Sequence, residues 1–280
     1  MEDTYHILIP TDYSETADHA LDVGITIAKR SNAQVQIQHI EGIPPDWVDM
    51  VEKEEGTMFT MIKEQLAETK TELADRVKLA QDQGVSTESF LQYNKNYRAI
   101  LDHADDNKTD LIIMGAHGRS GIKSLLIGSY TVRVLHHTKT PVLVTKKTDL
   151  PNALEKMVFV SDFSLENVDL LLKAFMTAQE LKMKLSLLYV NTPTTFKESH
   201  EIMSRIDRYL ESIPGGKVAQ VDVVNAYRFE PGLFKYCEQN KIDIVSIPIY
   251  KRTSSWEAFG GTIQDLIKDT DMPVLGIPET

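Results

Sequence analysis

The chain has 280 residues, 42% of them apolar and 25% charged, the balance of a soluble globular protein with room for one large domain or two of ordinary size. A formal net charge of -11 argues against broad binding to nucleic acid or to an anionic membrane, and no apolar run approaches the length that crosses a bilayer. The single cysteine, Cys237, excludes an intrachain disulfide framework, and the acidic opening Met1 to Tyr5 is not a signal peptide, so a reducing cytoplasm is the expected setting.

In chain order, His6 to Pro10 reads as a strand. Ser14 is the expected N-cap of a helix over Glu15 to Ser31, with Ala17, Ala20, Leu21, Ile25 and Ala28 as its apolar stripe. An alternating strand, Gln34 to Ile40, leads into a loop over Gly42 to Gly56 that holds Pro44 and Pro45. A long helix from Thr57 to Gln83 stops at Gly84; Val85 to Leu91 is the third strand, and a short helix runs from near Tyr97 to Asp106. The apolar run Leu111 to Met114 reads as a buried strand, followed by a glycine-bearing turn, a helix to about His137 and a last strand over Val142 to Thr145. Strands alternating with helices imply right-handed crossovers and a parallel sheet. Such a sheet binds ligands at the carboxyl ends of its strands, where the strand order reverses, so the ends of the first, second and fourth strands are expected to converge there.

The chain then repeats itself. Tyr5 to Ser14 is echoed by Glu155 to Ser164, with Asp12 on Asp162 at an offset of 150. Asn107 to Ile112 is echoed by Asn240 to Val245 at an offset of 133, and Pro141 by Pro273. A period of this length is a tandem duplication of a domain, and the change of offset places a loss of 17 residues between the second and third strands of the second copy. The expected domains are 1–147 and 154–280, joined by a polar, proline-bearing linker over Lys147 to Ala153.

Chemistry concentrates after the fourth strand. Gly115 ends it, Gly118 follows, and nine residues later Gly128 and Ser129 open a helix. Glycine lets the backbone come close to a ligand, and a helix N-terminus offers unpaired N–H donors and the positive end of a dipole, so the pattern reads as a phosphate cradle. The competing structural reading is that the glycines turn the chain and Ser129 caps the helix. Asp12, after Pro10 and Thr11 at the end of the first strand, can accept hydrogen bonds from ribose hydroxyls; it can equally serve as a charge at the start of the first helix. Arg119 can fork onto phosphate oxygens or sit as a solvated loop residue, and His117 is either a phosphate contact or a loop histidine packed on its neighbours. Tyr130 is bulky for its place and would narrow the cradle if it turned inward.

The spacing Gly115-x2-Gly118-x9-Gly128-Ser129, with Met114 to Gly118 and Pro141 to Thr145 as flanks, resembles the nucleotide-binding signature of the universal stress protein family. The resemblance implies that Asp12 sits beside the ribose, that Ile40 contacts the adenine partly through its backbone, that Met114 lines the base pocket and that Gly115 approaches ribose and phosphates. It places Gly118, Arg119, Gly128, Ser129, Tyr130 and Thr131 at the phosphates. The implied fold is two Rossmann-like, adenine nucleotide alpha hydrolase-like α/β domains in tandem, each a mainly parallel five-stranded sheet flanked by helices. In the family the last strands pair across a two-fold. A tandem chain can make that pairing between Val142–Thr145 and Val274–Ile277 within itself, as an intrachain pseudo-dimer, or with a second chain, as a homodimer.

In the second copy the pattern decays. Gly115 aligns with Pro248 and Gly118 with Lys251, and proline has no N–H to offer; Gly260, Gly261 and Thr262 survive, and Lys251 with Arg252 leaves room for some other anion. Other constellations are weaker. His136 and His137 are helix neighbours that point apart, Cys237 reads as a small core residue, and neither a Walker loop at Lys123 and Ser124 nor a nucleophile elbow at Gly118 to Gly121 has its required spacing. The acidic stretch Asp46 to Glu55 reads as solvated, or as a lid at most.

The resulting expectation is a stress-response regulatory protein that binds ATP, with or without Mg2+, in its first copy and signals to a protein partner. No catalytic residue and no protein metal site is expected, and any hydrolysis of ATP should be slow. The rivals are a slow ATPase or nucleotidyl-transfer enzyme of the same superfamily, for which His117 is the available candidate, and a nucleotide-free structural partner.

Overall fold

A computed structural model describes residues 4–51, 53, 56–118, 127–146, 154–164, 168–211, 213, 218–250 and 263–279. The first half runs β1 (His6–Thr11), α1 (Glu15–Ser31), β2 (Gln34–Glu41), α2 (Pro45–Met50), α3 (Thr57–Asp82), β3 (Thr87–Tyr93), α4 (Arg98–Asp106), β4 (Leu111–Gly115), α5 (Ser129–His137) and β5 (Val142–Thr145). The second half runs β6 (Lys156–Val160), α6 (Val168–Glu180), β7 (Lys184–Asn191), α7 (Ser199–Glu211), β8 (Gln220–Asn225), α8 (Phe229–Asn240), β9 (Ile244–Ile249), α9 (Ile263–Asp269) and β10 (Val274–Pro278).

Each half lays five parallel strands side by side, in the order β3-β2-β1-β4-β5 and its counterpart β8-β7-β6-β9-β10. The order reverses between β1 and β4, which opens a crevice at their carboxyl ends. β5 and β10 then pair antiparallel, with Leu143 opposite Leu275 and Val144 opposite Val274, and the two halves become one sheet of ten strands. The edge strands of each half thus cover one another within the chain, which removes the exposed apolar edges such strands would otherwise present. Every residue of β4, β5 and β10 is buried, the near-continuous apolar run expected of parallel strands covered on both faces.

The helix ends follow their caps. Ser14 is extended and its hydroxyl accepts the N–H of Ala17, while Asn32 takes the left-handed conformation at φ 58 and returns its N–H to Ala28. The expected stripe of α1 is buried, and Val23, Gly24 and Ile27 widen it. Two expectations are corrected. The loop over 42–56 contains the helix α2: Pro45 sits at its first position, where a fixed φ and a missing N–H help, and Ile43 and Val51 pack against Ile62 and Leu66 of α3. The third strand starts two residues later than expected. Val85 is buried but gives its N–H to Ala80 at the end of α3, and the ladder with β2 runs from Thr87 on Val35. Gly84, at φ 82, makes the turn between them.

The lost residues of the second half fall where the offsets placed them. The crossover from β2 to β3 uses α2 and the 26-residue α3, whereas that from β7 to β8, among the described residues, uses α7 alone, with 13 residues. Residues 147–153, the expected linker, lie outside the described residues. Among the described residues no helix is long and apolar enough to cross a membrane. Cys237 is buried in α8, where burial pushes its thiol up to about 12, so its place is in the core.

Candidate functional site

The crevice at the strand reversal is a cleft of about 340 Å³. Pro10, Thr11 and Asp12 reach it from the end of β1, Ile40 from β2, and Met114 and Gly115 from β4; His117, Gly118, Gly128, Ser129, Tyr130 and Thr131 close it from the following turn and the start of α5. Of the residues singled out in the sequence, all but Arg119 line this cleft, and Arg119 lies outside the described residues, as do Lys123 and Ser124. Three further residues line it: Ala17 from α1, Gln38 from β2 and Ile100 from α4. Gln38 and Ile100 were detectable in principle, one by lying two residues before Ile40 on the same face of a strand, the other as the apolar face of a short helix.

The β1 end is held by its own turn. Asp12 Oδ1 accepts the N–H of Ser14 at 3.2 Å, and Thr11 Oγ1 accepts that of Tyr13 at 3.0 Å. Tyr13 is left-handed at φ 63, its hydroxyl donates to the Thr69 carbonyl at 3.1 Å, and its ring stacks on His39 at 4.2 Å between centroids. His39 Nδ1 lies 2.8 Å from the Thr11 carbonyl, which assigns its proton to that nitrogen. Asp12 therefore serves the helix start and also lines the cleft.

The glycines divide into three roles. A Cβ on Gly118 would lie 2.5 Å from Asp12 Oδ2, so the turn runs bare-backboned against the carboxylate. Gly115 is glycine for a different reason: a Cβ there would lie 2.8 Å from the Thr16 carbonyl carbon and oxygen, so the position serves the packing of α1 on β4. Gly115 thus has a packing reason to be glycine beside its place in the cleft lining. Gly128 meets no such obstacle, its nearest neighbour being the Ala116 oxygen at 3.6 Å. It occupies the N-cap of α5 without a side-chain cap, and Ser129 is the first helical residue, so the reading of Ser129 as the cap is corrected.

The loop is pinned at both ends. Ala116 donates to Thr145 at 2.8 Å, Gly128 to Ala116 at 2.7 Å, and the Thr16 hydroxyl to the His117 carbonyl. Thr131 spends its hydroxyl on the Gly115 carbonyl at 3.0 Å, which leaves its backbone rather than its side chain for a ligand. The N–H groups from Ser129 to Thr131 open α5, ahead of its first ladder bond from Val132 to Gly128. Tyr130 is 40% exposed and borders the cleft rather than filling it. Burial, with the charge of Lys146 behind it, holds the His117 ring below its ordinary pKa, so the histidine is neutral at pH 7.

The cleft thus offers backbone donors at a positive helix end, a carboxylate acceptor and apolar walls from Pro10, Ile40, Ile100 and Met114. Among the described residues no group of three or more His, Cys, Asp or Glu side chains is placed to hold a metal ion.

The second half repeats the turn and packs aromatic side chains around it. Asp162 Oδ1 accepts the Ser164 N–H at 3.1 Å and Ser161 Oγ that of Phe163 at 3.1 Å, as their counterparts do. Here Phe163 and Tyr209 are fully buried with ring centroids 5.5 Å apart, and Tyr250 packs beside Ser161 and Asp162, where burial and the aspartate drive its hydroxyl pKa upward. Lys251, Arg252, Gly260, Gly261 and Thr262 lie outside the described residues.

Comparison with known proteins follows this geometry. The model of the universal stress protein family matches residues 4–146. A universal stress protein of Methanocaldococcus jannaschii is 34% identical over 142 residues, 50% of this chain and 81% of that one, and one of Synechocystis is 29% identical over 50% of this chain and 96% of its own. In fold, a universal stress protein crystal structure from Archaeoglobus fulgidus superposes with a TM-score of 0.70 at 17% identity, covering 98% of this chain and 96% of that one.

Proposed function

The chain belongs to the universal stress protein family, and on that premise we propose that its first half is a regulatory receptor for an adenine nucleotide, ATP in the first place, with a protein partner downstream. The observation that carries the reading is the bare turn at Gly118, packed on the Asp12 carboxylate and set before the N-terminus of α5. A triphosphate would lie against backbone N–H groups and the helix dipole, a ribose against Asp12, and a flat base between Pro10, Ile40, Ile100 and Met114. The cleft volume, about 340 Å³, is in the ~300–1,000 Å³ range of small-molecule sites. Magnesium, where present, would arrive on the phosphates, which suits an ion that binds through few carboxylates and keeps its waters.

The same reading makes the second half silent toward nucleotide. Pro248 stands where the first half has Gly115, and Tyr250, in the place of His117, packs beside Ser161 and Asp162. We assign residues 1–147 to the receptor domain and 154–280 to a domain whose role is structural pairing through β10. The test is native mass spectrometry of the purified chain, followed by calorimetric titration with ATP. One adenine nucleotide per chain is expected; none at millimolar ATP overturns the reading, and two per chain overturn the silence of the second half.

A further inference from the structure

The strongest unexplained feature of the cleft is Gln38. Its side chain is 1% exposed, and its Nε2 donates to the Ala99 carbonyl of α4 at 3.0 Å. That bond fixes the amide's orientation, since the reverse setting would face two oxygens at each other. Oε1 is then turned away from α4, on a residue that lines the cleft, and among the described residues no donor reaches it. Buried amide oxygens are normally paired. Gln36, two residues earlier on the same face, shows the contrast: its Oε1 meets His103 Nε2 at 3.0 Å and its Nε2 meets His6 Nδ1 at 3.4 Å.

The fold does not require a polar group here. Gln38 lies opposite Pro10 on β1; the matching position of the second half, opposite Val160 on β6, is Leu188, fully buried in the same kind of strand. A glutamine kept where leucine suffices, with one end anchored and the other unpaired beside a ligand cleft, is an acceptor in waiting.

We propose that Gln38 Oε1 reads the exocyclic amine of the bound purine and so selects 6-amino over 6-oxo bases. This rests on the nucleotide reading above and names its specificity. The anchored amide cannot turn to offer Nε2 without abandoning Ala99, so a 6-oxo purine brings an acceptor against an acceptor, while a 6-amino purine supplies the missing donor.

The test compares ATP with ITP, which differ in that one exocyclic group, by calorimetry on the full chain and on Gln38→Leu. The wild type is expected to prefer ATP by about tenfold or more, and Gln38→Leu to lose most of that preference by weakening ATP and not ITP. Leu188 shows that the strand accepts leucine, and the ATP-to-ITP ratio of the wild type needs no variant at all. If the wild type binds ATP and ITP equally, or Gln38→Leu lowers thermal stability while keeping the ratio, Gln38 is an anchor for α4 and the proposal falls while the nucleotide reading stands. If the wild type binds neither, both fall.

Discussion

Gly118 stands so close to Asp12 that a Cβ on it would lie 2.5 Å from Oδ2, inside any permitted contact. The glycine and the carboxylate define one wall of the cleft together. Gly118→Val must push the carboxylate aside and place two methyl groups where the phosphates are proposed to lie. Gly118 has no left-handed φ, so the backbone itself tolerates a side chain. The expected outcome is a loss of ATP affinity of about 100-fold or more, ~2.7 kcal/mol, with a thermal midpoint close to that of the wild type. Calorimetric titration and a melting curve check it; unchanged affinity would mean that this turn does not face the ligand.

Behind Asp12 stands Tyr13, in a conformation that costs a residue with a Cβ of the order of 1 kcal/mol. It is held there by the Thr69 carbonyl, the His39 ring and the Arg76 guanidinium, 4.6 Å above its own ring. Phe163 occupies the matching place at φ 49, so a plain phenyl ring fits such a turn. Tyr13→Phe should cost about 1 kcal/mol, the worth of one hydrogen bond, and Tyr13→Ala about 3 kcal/mol or more through lost packing. Urea denaturation resolves the two. Equal costs would show that the ring contributes nothing beyond its hydroxyl.

How far the sequence carried these arguments differs from place to place. The start of α1 was legible to the residue, because Ser14 is a local signal that acts on its own backbone, and Asn32 ends the helix in the same local way. The cleft was legible because bare turns and helix starts are written in glycine. α2 was not, since Pro44 and Pro45 read as breakers until Val51 and Ile43 are seen packing on α3. Gln38 was missed for a subtler reason. In an alternating strand a glutamine reads as facing solvent, yet here α4 covers that face, and the cover is a tertiary fact. The ring packed on Phe163 in the second half is Tyr209, which comes from α7, an element with no signature pointing at β6.

Acid stability should depend on His103. It is buried on α4, and burial holds its pKa below the ordinary 6.5, against a smaller opposing pull from Asp106. Its Nε2 must carry a proton to meet Gln36 Oε1, so the neutral ring is already satisfied. A histidine with a depressed folded pKa contributes stability that is complete above 6.5 and is lost as pH falls below it, because the unfolded chain takes the proton first. The loss can reach about 1.4 kcal/mol per pH unit until the folded protein protonates as well. Denaturation midpoints of the wild type and His103→Gln, compared between neutral and mildly acid pH, should converge on acidification; parallel curves would remove His103 from the account.

Lys146 connects the cleft to the second half. It follows β5, its ammonium donates to the Lys268 carbonyl at 2.8 Å, at the end of α9, and it lies 3.9 Å from Asp271. A cation at a helix C-terminus is worth up to ~1 kcal/mol at such a site. The same charge is one cause of the depressed pKa of His117, burial being the larger. Lys146→Met keeps the apolar stem, which is largely covered, and removes the charge. Two effects should follow together. Stability should fall by about 1 kcal/mol as α9 loses its counter-charge. The His117 pKa should rise, read from its ring proton in an NMR titration, while that of His103, whose shift has no contribution from Lys146, stays put. A rise at His117 would mean that the pairing of the two halves sets the charge state of a residue lining the first-half cleft, since Lys146 is positioned by α9. No change would leave burial as the whole cause and the two halves electrostatically independent at this point.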